Sequence, residues 1–194
     1  MNTFVLATHN QHKIEEFNAI LSELVPGITV IGYDGPEPIE DGVSFAENAL
    51  IKARAAAAHT GLPSLSDDSG ICVDVLGGMP GIFSARWAGN AKDNAANVQL
   101  LLEQMSDVRD GDREAHFTCH IAVVNPVTNE EFVVEGNWPG SIAREVHGVN
   151  GFGYDPVFIP EGFDVTAAIL DPTEKNTLSH RSRALQALAD RLSS

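Results

Sequence analysis

SDDSGICVDVLGGMPGIFSARWAG, residues 66–89, is the stretch on which the reading of the chain turns. It opens with two adjacent carboxylates, Asp67 and Asp68, and the hydroxyl of Ser69, which the pattern places at a glycine turn just after a short strand-like run at residues 62–65. Carboxylates at the end of a strand can hold a metal, but the commoner work of such residues is to cap a turn. Ile71, Val73 and Val75 resume the strand signal with a period of two, which predicts one buried face. Gly77, Gly78, Pro80 and Gly81 then demand an unusual backbone path. Taken alone, the stretch favours the turn-capping reading.

Working outward, the length of 194 residues suits one domain over residues 1–194, or two small lobes sharing a cleft, and is enough to bury a sizeable core. A formal charge of -15 argues against a general binder of nucleic acid or of anionic membranes, because the driving electrostatics would be repulsive. An anionic ligand must therefore meet a local basic cluster or arrive with a cation. Cys72 and Cys119 lie in apolar, strand-like surroundings without metal-ligand spacing and read as buried free thiols. The apolar run in MNTFVLATHN is too short for a signal peptide, and no later stretch approaches membrane-spanning length. A soluble protein of the reducing cytoplasm is the expectation.

In chain order, residues 3–7 (TFVLA) read as a strand, followed by a tight turn and an amphipathic helix marked by Ile14, Phe17, Leu21 and Leu24. The turn carries TxNxxK (Thr8, Asn10, Lys13), a hydroxyl, an amide and an ammonium at a helix start, where unpaired N–H groups already favour anions. Phosphate binding and an ordinary helix cap with a solvated lysine are equally compatible with that spacing. Residues 29–32 read as a second strand, and an acidic loop with Glu37, Glu40 and Asp41 leads to the capping box Ser44/Glu47 and an alanine-rich helix to Thr60. A helix at residues 93–105 and alternation from 114 to 124 follow, with a hairpin turn at 125–129, a strand at 132–134, a loop at Pro139 and Gly140, and a further extended piece at 141–146. NGFGYDP (150–156) holds Phe152, Tyr154 and Asp155 at a glycine-dense bend before a strand at 157–160. Such an aromatic can stack on a planar base, or anchor the core at the bend. Lys175 and the pair His180/Arg181 precede a last helix with Leu185, Leu188 and Leu192 on its apolar face. Lys13, Lys52, Lys175 and Arg181 all fall at turns or helices rich in donors, and with Glu40 and Asp68 would make a mixed site in which a hard cation bridges phosphates.

TxNxxK, SDDSG with VLGGMPGIFSARWAG, FGYDPVF (152–158) and EKNTLSHRSRAL (174–185) together resemble the inosine triphosphate pyrophosphatase family, the dITP/XTP pyrophosphatases, in order and over nearly the whole chain. The resemblance implies an α/β fold, an elongated mixed sheet with flanking helices forming two lobes around a central nucleotide-binding cleft. It implies hydrolysis of ITP, dITP and XTP to the monophosphate and pyrophosphate with Mg²⁺, in a homodimer. Carried over by motif, Thr8, His9, Asn10, Gln11, His12, Lys13, Lys52 and Ser69 would hold the phosphates, Asp68 would be the general base, and Glu40 and Asp68 would serve the metal. Phe152, Gly153, Tyr154, Asp155, Lys175, His180 and Arg181 would hold the nucleotide. His9 and Ser182 stand where the family often has glycine. The alternatives are a Maf-type nucleotide pyrophosphatase, which prefers pyrimidine or modified bases, and a non-catalytic nucleotide sensor, which would not need the complete acid set.

Overall fold

The computed structural model describes residues 2–193. Its elements run β1 (Asn2–Leu6), α1 (Gln11–Leu24), β2 (Ile28–Gly32), α2 (Phe45–Thr60), β3 (Ser64–Val73), β4 (Met79–Pro80) and α3 (Asn94–Gln104). Then come β5 (Glu114–Asn125), β6 (Glu130–Ile142), β7 (Phe158–Pro160), α4 (Pro172–Leu178) and α5 (His180–Leu192). The class is α/β: a mixed seven-stranded sheet ordered β2-β1-β3-β5-β6-β7, with β4 on β3, and helices flanking it. β1 pairs in parallel with β2 and β3, while β4 and β7 run antiparallel to β3 and β6.

The chain forms two compact units. The first takes residues up to Asp68, Cys119–Gly136 and residues from Arg181 on; the second takes Ser69–Thr118 and Asn137–His180. In the first, strand alternation sorts side chains onto two faces. Phe4, Leu6, Leu65, Cys119, Ile121 and Val123 pack with Phe17 and Leu21 of α1 and with Leu185 and Leu188 of α5. The intervening positions turn the other way, Ala122 and Val124 onto Ala49, Ala53 and Ala57 of α2, and Val5 onto Ala56. In the second unit, Ile71 and Val73 join Val98 and Leu101 of α3, Phe117, Trp138 and Phe158 in a core of its own. Arg113 is buried there with its guanidinium donating to the carbonyls of Met105, Ile142 and Ala143.

Local chemistry sets the helix ends. Ser44 caps α2 by accepting from Glu47 N at 3.2 Å, and the Glu47 carboxylate accepts from Val43 N at 2.8 Å, so Glu47 has the structural job its spacing offered. Gly61 ends that helix at φ +69. α4 has no counterpart in the sequence reading, although Asp171 caps it by accepting from Thr173 N, with Pro172 in its first turn.

Three expectations require correction. The turn at Asp67–Gly70 is absent, because β3 runs unbroken from Ser64 to Val73. Gly70 serves close packing instead: a Cβ there would lie 2.4 Å from Ser84 Oγ and 2.7 Å from Gly81 O. Second, Val75 leaves the strand into a 3₁₀ turn and is exposed, while both faces of β3 beyond Gly70 are buried. Third, β6 passes straight through Pro139 and Gly140 and stops at Ile142, so the predicted loop is strand, and of the predicted extended piece at 141–146 only the first two residues are, as the end of β6. Gly140 permits β7 to approach, since a Cβ would stand 2.2 Å from Ile159 O. Cys72 and Cys119 are both free and buried. Among the described residues no helix is long and apolar enough to cross a membrane.

Candidate active site

Because side chains alternate along a strand, the neighbours Asp67 and Asp68 leave β3 in opposite directions. Asp67 follows Leu65 onto the α1 and α5 face, and Asp68 turns to α2. Lys13, in the first turn of α1, places Nζ 2.9 and 3.0 Å from the two oxygens of Asp67. Arg181, opening α5, lies 3.6 Å from the same carboxylate through Nη2 and 3.4 Å from Glu16 through Nη1. On the other face Lys52 Nζ sits 3.2 Å from Glu40 Oε2 and 3.4 Å from Asp68 Oδ1. Asn48, one helical turn before Lys52, hydrogen-bonds Asp68 and accepts from Gly42 N at 3.0 Å, tying the loop after Glu40 to α2.

The two acids are tuned apart. Burial works against the charged form of Asp67, which is only 4% exposed, but Lys13 and then Arg181 hold its carboxyl below the usual carboxylate range. Burial raises the Asp68 carboxyl, helped by the like charges of Glu40 and Asp67 and resisted by Lys52 and Asn48. Lys52 is desolvated as well, yet Asp68, Asp67 and Glu40 raise its pKa and keep it an ammonium. Two carboxylates of different basicity, each answered by a cation, are suited to divide positioning from proton transfer.

The helix-start motif resolves into a cap. Asn10 Oδ1 accepts from His12 N at 3.0 Å and Lys13 N at 3.4 Å, and Thr8 Oγ1 accepts from Asn10 N at 3.2 Å. Lys13 is not a solvated bystander, since it turns to Asp67. His9 stacks on Tyr33 with ring centroids 5.8 Å apart and places Nε2 3.0 Å from Gly35 O, so it fastens the loop that leads to Glu40. Gln11 donates to Glu15, and His12 lies exposed on α1. Ser69 is half-buried, next to Asp68 on β3.

In the second unit, Asp155 is buried and takes Lys175 Nζ at 2.5 Å and Phe152 N at 2.8 Å on one oxygen. Gly151, at φ +77, makes room for that junction: a Cβ would stand 2.1 Å from Asp155 Oδ2 and 2.9 Å from Lys175 Nζ. The ring of Phe152, 65% exposed, lies 5.3 Å from Lys175 Nζ. Gly153 adopts φ +60 in the same bend. Tyr154 goes the other way, into the core, with its hydroxyl donating to Ser84 O at 2.8 Å, so its ring has the anchoring role and Phe152 alone of the two presents an open face. His180 stacks on Phe117 with centroids 4.9 Å apart and an interplanar angle of 12°.

Asn48 and Glu16 are residues that sequence reasoning leaves out, and it reads Asp67 as a turn cap without assigning it to the site. Asp67 is hidden by a turn signal that the strand overrides. Asn48 is legible in hindsight, since it and Lys52 share the inward stripe of α2 with Phe45, Ala49, Ala53 and Ala56. Two cavities of about 630 and 640 Å³ belong to the second unit and are lined by none of these residues.

An α/β chain that mounts two differently tuned carboxylates on one strand and answers them with cations from the helices on either face has the equipment of an enzyme acting on an anionic substrate. The model of the Ham1 family matches residues 4–191, and the chain belongs to that family. It is 60% identical over 184 residues to the dITP/XTP pyrophosphatase of Leifsonia xyli subsp. xyli, covering 95% of this chain and 92% of that one. It is 50% identical to the dITP/XTP pyrophosphatase of Streptomyces avermitilis over 97% of this chain and 96% of the relative. The structure of a HAM1 protein from Coxiella burnetii superposes with a TM-score of 0.91 at 43% identity, covering 100% of this chain and 99% of the other.

Proposed function

We propose that this chain hydrolyses nonstandard purine nucleoside triphosphates, dITP/ITP and XTP/dXTP, to the monophosphate and pyrophosphate, and so cleanses the nucleotide pool. The observation that carries the chemistry is the single ammonium of Lys52 set between the carboxylates of Glu40 and Asp68. The named relatives supply the substrate class.

Water attacks the α-phosphorus; its oxygen forms a bond to phosphorus as the bond to the bridging α,β-oxygen breaks and pyrophosphate leaves. Asp68 accepts the proton from that water, and a carboxyl raised above its ordinary range is the stronger base for the task, worth about 10² to 10⁴-fold. Lys13 and Lys52 neutralise charge that grows on the phosphoryl oxygens. Glu40 and Asp68 are oxygen donors of the kind a Mg²⁺ ion accepts. Such ions are commonly held by one or two carboxylates with substrate phosphates completing the shell, so the pair fits, although no group of three or more ligating side chains gathers among the described residues. When bound, the ion supplies charge neutralisation for the polyphosphate. Thr8, Asn10 and Ser69 are assigned to the phosphates; Phe152 stacks on the base, with Asp155, Lys175, His180 and Arg181 assigned to the nucleoside. The working form is a cytoplasmic homodimer that binds neither nucleic acid nor membrane, in keeping with the charge of -15.

Pyrophosphate release from dITP, XTP, dGTP, dUTP and dTTP with Mg²⁺ tests the reading. Preference for dITP and XTP supports it; preference for the pyrimidine nucleotides selects the Maf-type alternative, and binding without release selects the sensor.

A further inference from the structure

The proposed reaction uses Asp68 but leaves its buried neighbour without a part. Asp67 grips Lys13 with both oxygens, at 2.9 and 3.0 Å. Arg181 stands further off, at 3.6 Å, and has its own tether in Glu16. Lys13 has no second acid within ion-pair range among the described residues, so its head group depends on Asp67 in a way that Arg181 does not. A lysine on four rotatable bonds is a mobile charge, and a carboxylate fixed in the middle of a strand removes most of that freedom. The ammonium keeps donor capacity beyond Asp67, and the Lys13 side chain is 29% exposed, so a phosphate oxygen can share it.

We infer that Asp67 is a positioning residue, which fixes the ammonium of Lys13 against the polyphosphate and makes no contact of its own with the nucleotide. The inference rests on the pyrophosphatase reading above. Position and charge give opposite signatures here. Asp67, Lys13 and Arg181 together carry one net positive charge, and removing the carboxylate leaves two, which by charge alone would tighten the binding of a polyphosphate. Loss of position instead lowers turnover, on the order of 10- to 100-fold for a displaced catalytic group.

The test compares wild type, Asp67→Asn, Lys13→Met and the double variant in steady-state pyrophosphate release from dITP with Mg²⁺. Asp67→Asn is expected to lower kcat by about 10- to 100-fold without raising KM, and to change it by less than about threefold when added to Lys13→Met. Equal losses in both backgrounds, or a rise in KM alone, overturn the inference. If Asp67→Asn alone fails to fold, Asp67→Glu, which keeps the charge and displaces it by one methylene, replaces it in the same cycle: a loss of kcat confined to the background that retains Lys13 supports the inference, and equal losses or none overturn it. Wild-type protein that releases no pyrophosphate from any nucleotide defeats the functional reading itself, whereas an active enzyme with additive losses defeats only the role of Asp67.

Discussion

Lys52 Nζ lies 3.4 Å from Asp68 Oδ1, and it is this ammonium that opposes the burial and like charges raising that carboxyl. Asp68→Asn keeps the size and the hydrogen-bonding shape of the side chain but removes the base. Turnover of dITP is expected to fall by about 10² to 10⁴-fold, with nucleotide affinity within a few-fold of wild type. Stopped pyrophosphate assays together with calorimetric Kd values check both halves, and near-normal turnover would remove Asp68 from the chemistry.

Phe152 and Tyr154 are two residues apart and their variants should separate cleanly. Phe152→Ala removes a ring that is 65% exposed, so Tm should hardly move while nucleotide affinity falls by the equivalent of about 1–3 kcal/mol of stacking. Tyr154→Phe strips the donor from Ser84 O inside the core and should cost stability, about 1–3 kcal/mol for a buried acceptor left unmet, with KM preserved. Thermal melts and substrate titration on the two variants would show the reverse assignment if the ring of Tyr154 were the one that stacks.

Gly151→Ala sets a methyl into the junction of Asp155 and Lys175 at a φ of +77. The backbone conformation alone costs about 1–2 kcal/mol for a residue with a Cβ, and the overlap forces Asp155 off Phe152 N. Both Tm and nucleotide affinity should drop, whereas Gly77→Ala, also at positive φ but in open space, should lower Tm alone.

Acid stability reports on the strand carboxylates with opposite signs. The folded pKa of Asp67 is below its unfolded value, so the unfolded chain binds the extra proton, and the contribution is full above the ordinary carboxylate range and is lost as pH falls below about 4. Asp68, raised when folded, contributes most below that range and loses its contribution as pH rises through its folded pKa. Urea midpoints at descending pH should therefore fall more steeply for wild type than for Asp67→Asn, and parallel curves would show that Asp67 carries no such linkage.

The α/β class, both halves of the α2 capping box and the strand-turn-helix at the amino end were legible because each rests on local chemistry: a period of two, a period of 3.6, and Ser44 three residues ahead of Glu47. What stayed hidden depends on partners distant in sequence. Gly70, Pro139 and Gly140 carry the ordinary signals of turns, but tertiary packing against Ser84 and Ile159 makes them strand residues. The same override concealed Asp67, since a carboxylate beside glycine reads as a turn until Lys13, 54 residues away in sequence, is found on it. Tyr154 and Phe152 are interchangeable on paper, and only the Ser84 carbonyl tells them apart.

Because Asp67 and Asp68 sit within an unbroken strand, their duties are assigned by parity alone. Deleting or inserting one residue between Leu65 and Asp67 would turn Asp67 toward α2 and Asp68 toward α1, one residue out of step with the partners that now hold them. Evolution can therefore lengthen the loops around this motif with little penalty, while the spacing inside it admits no change of odd length.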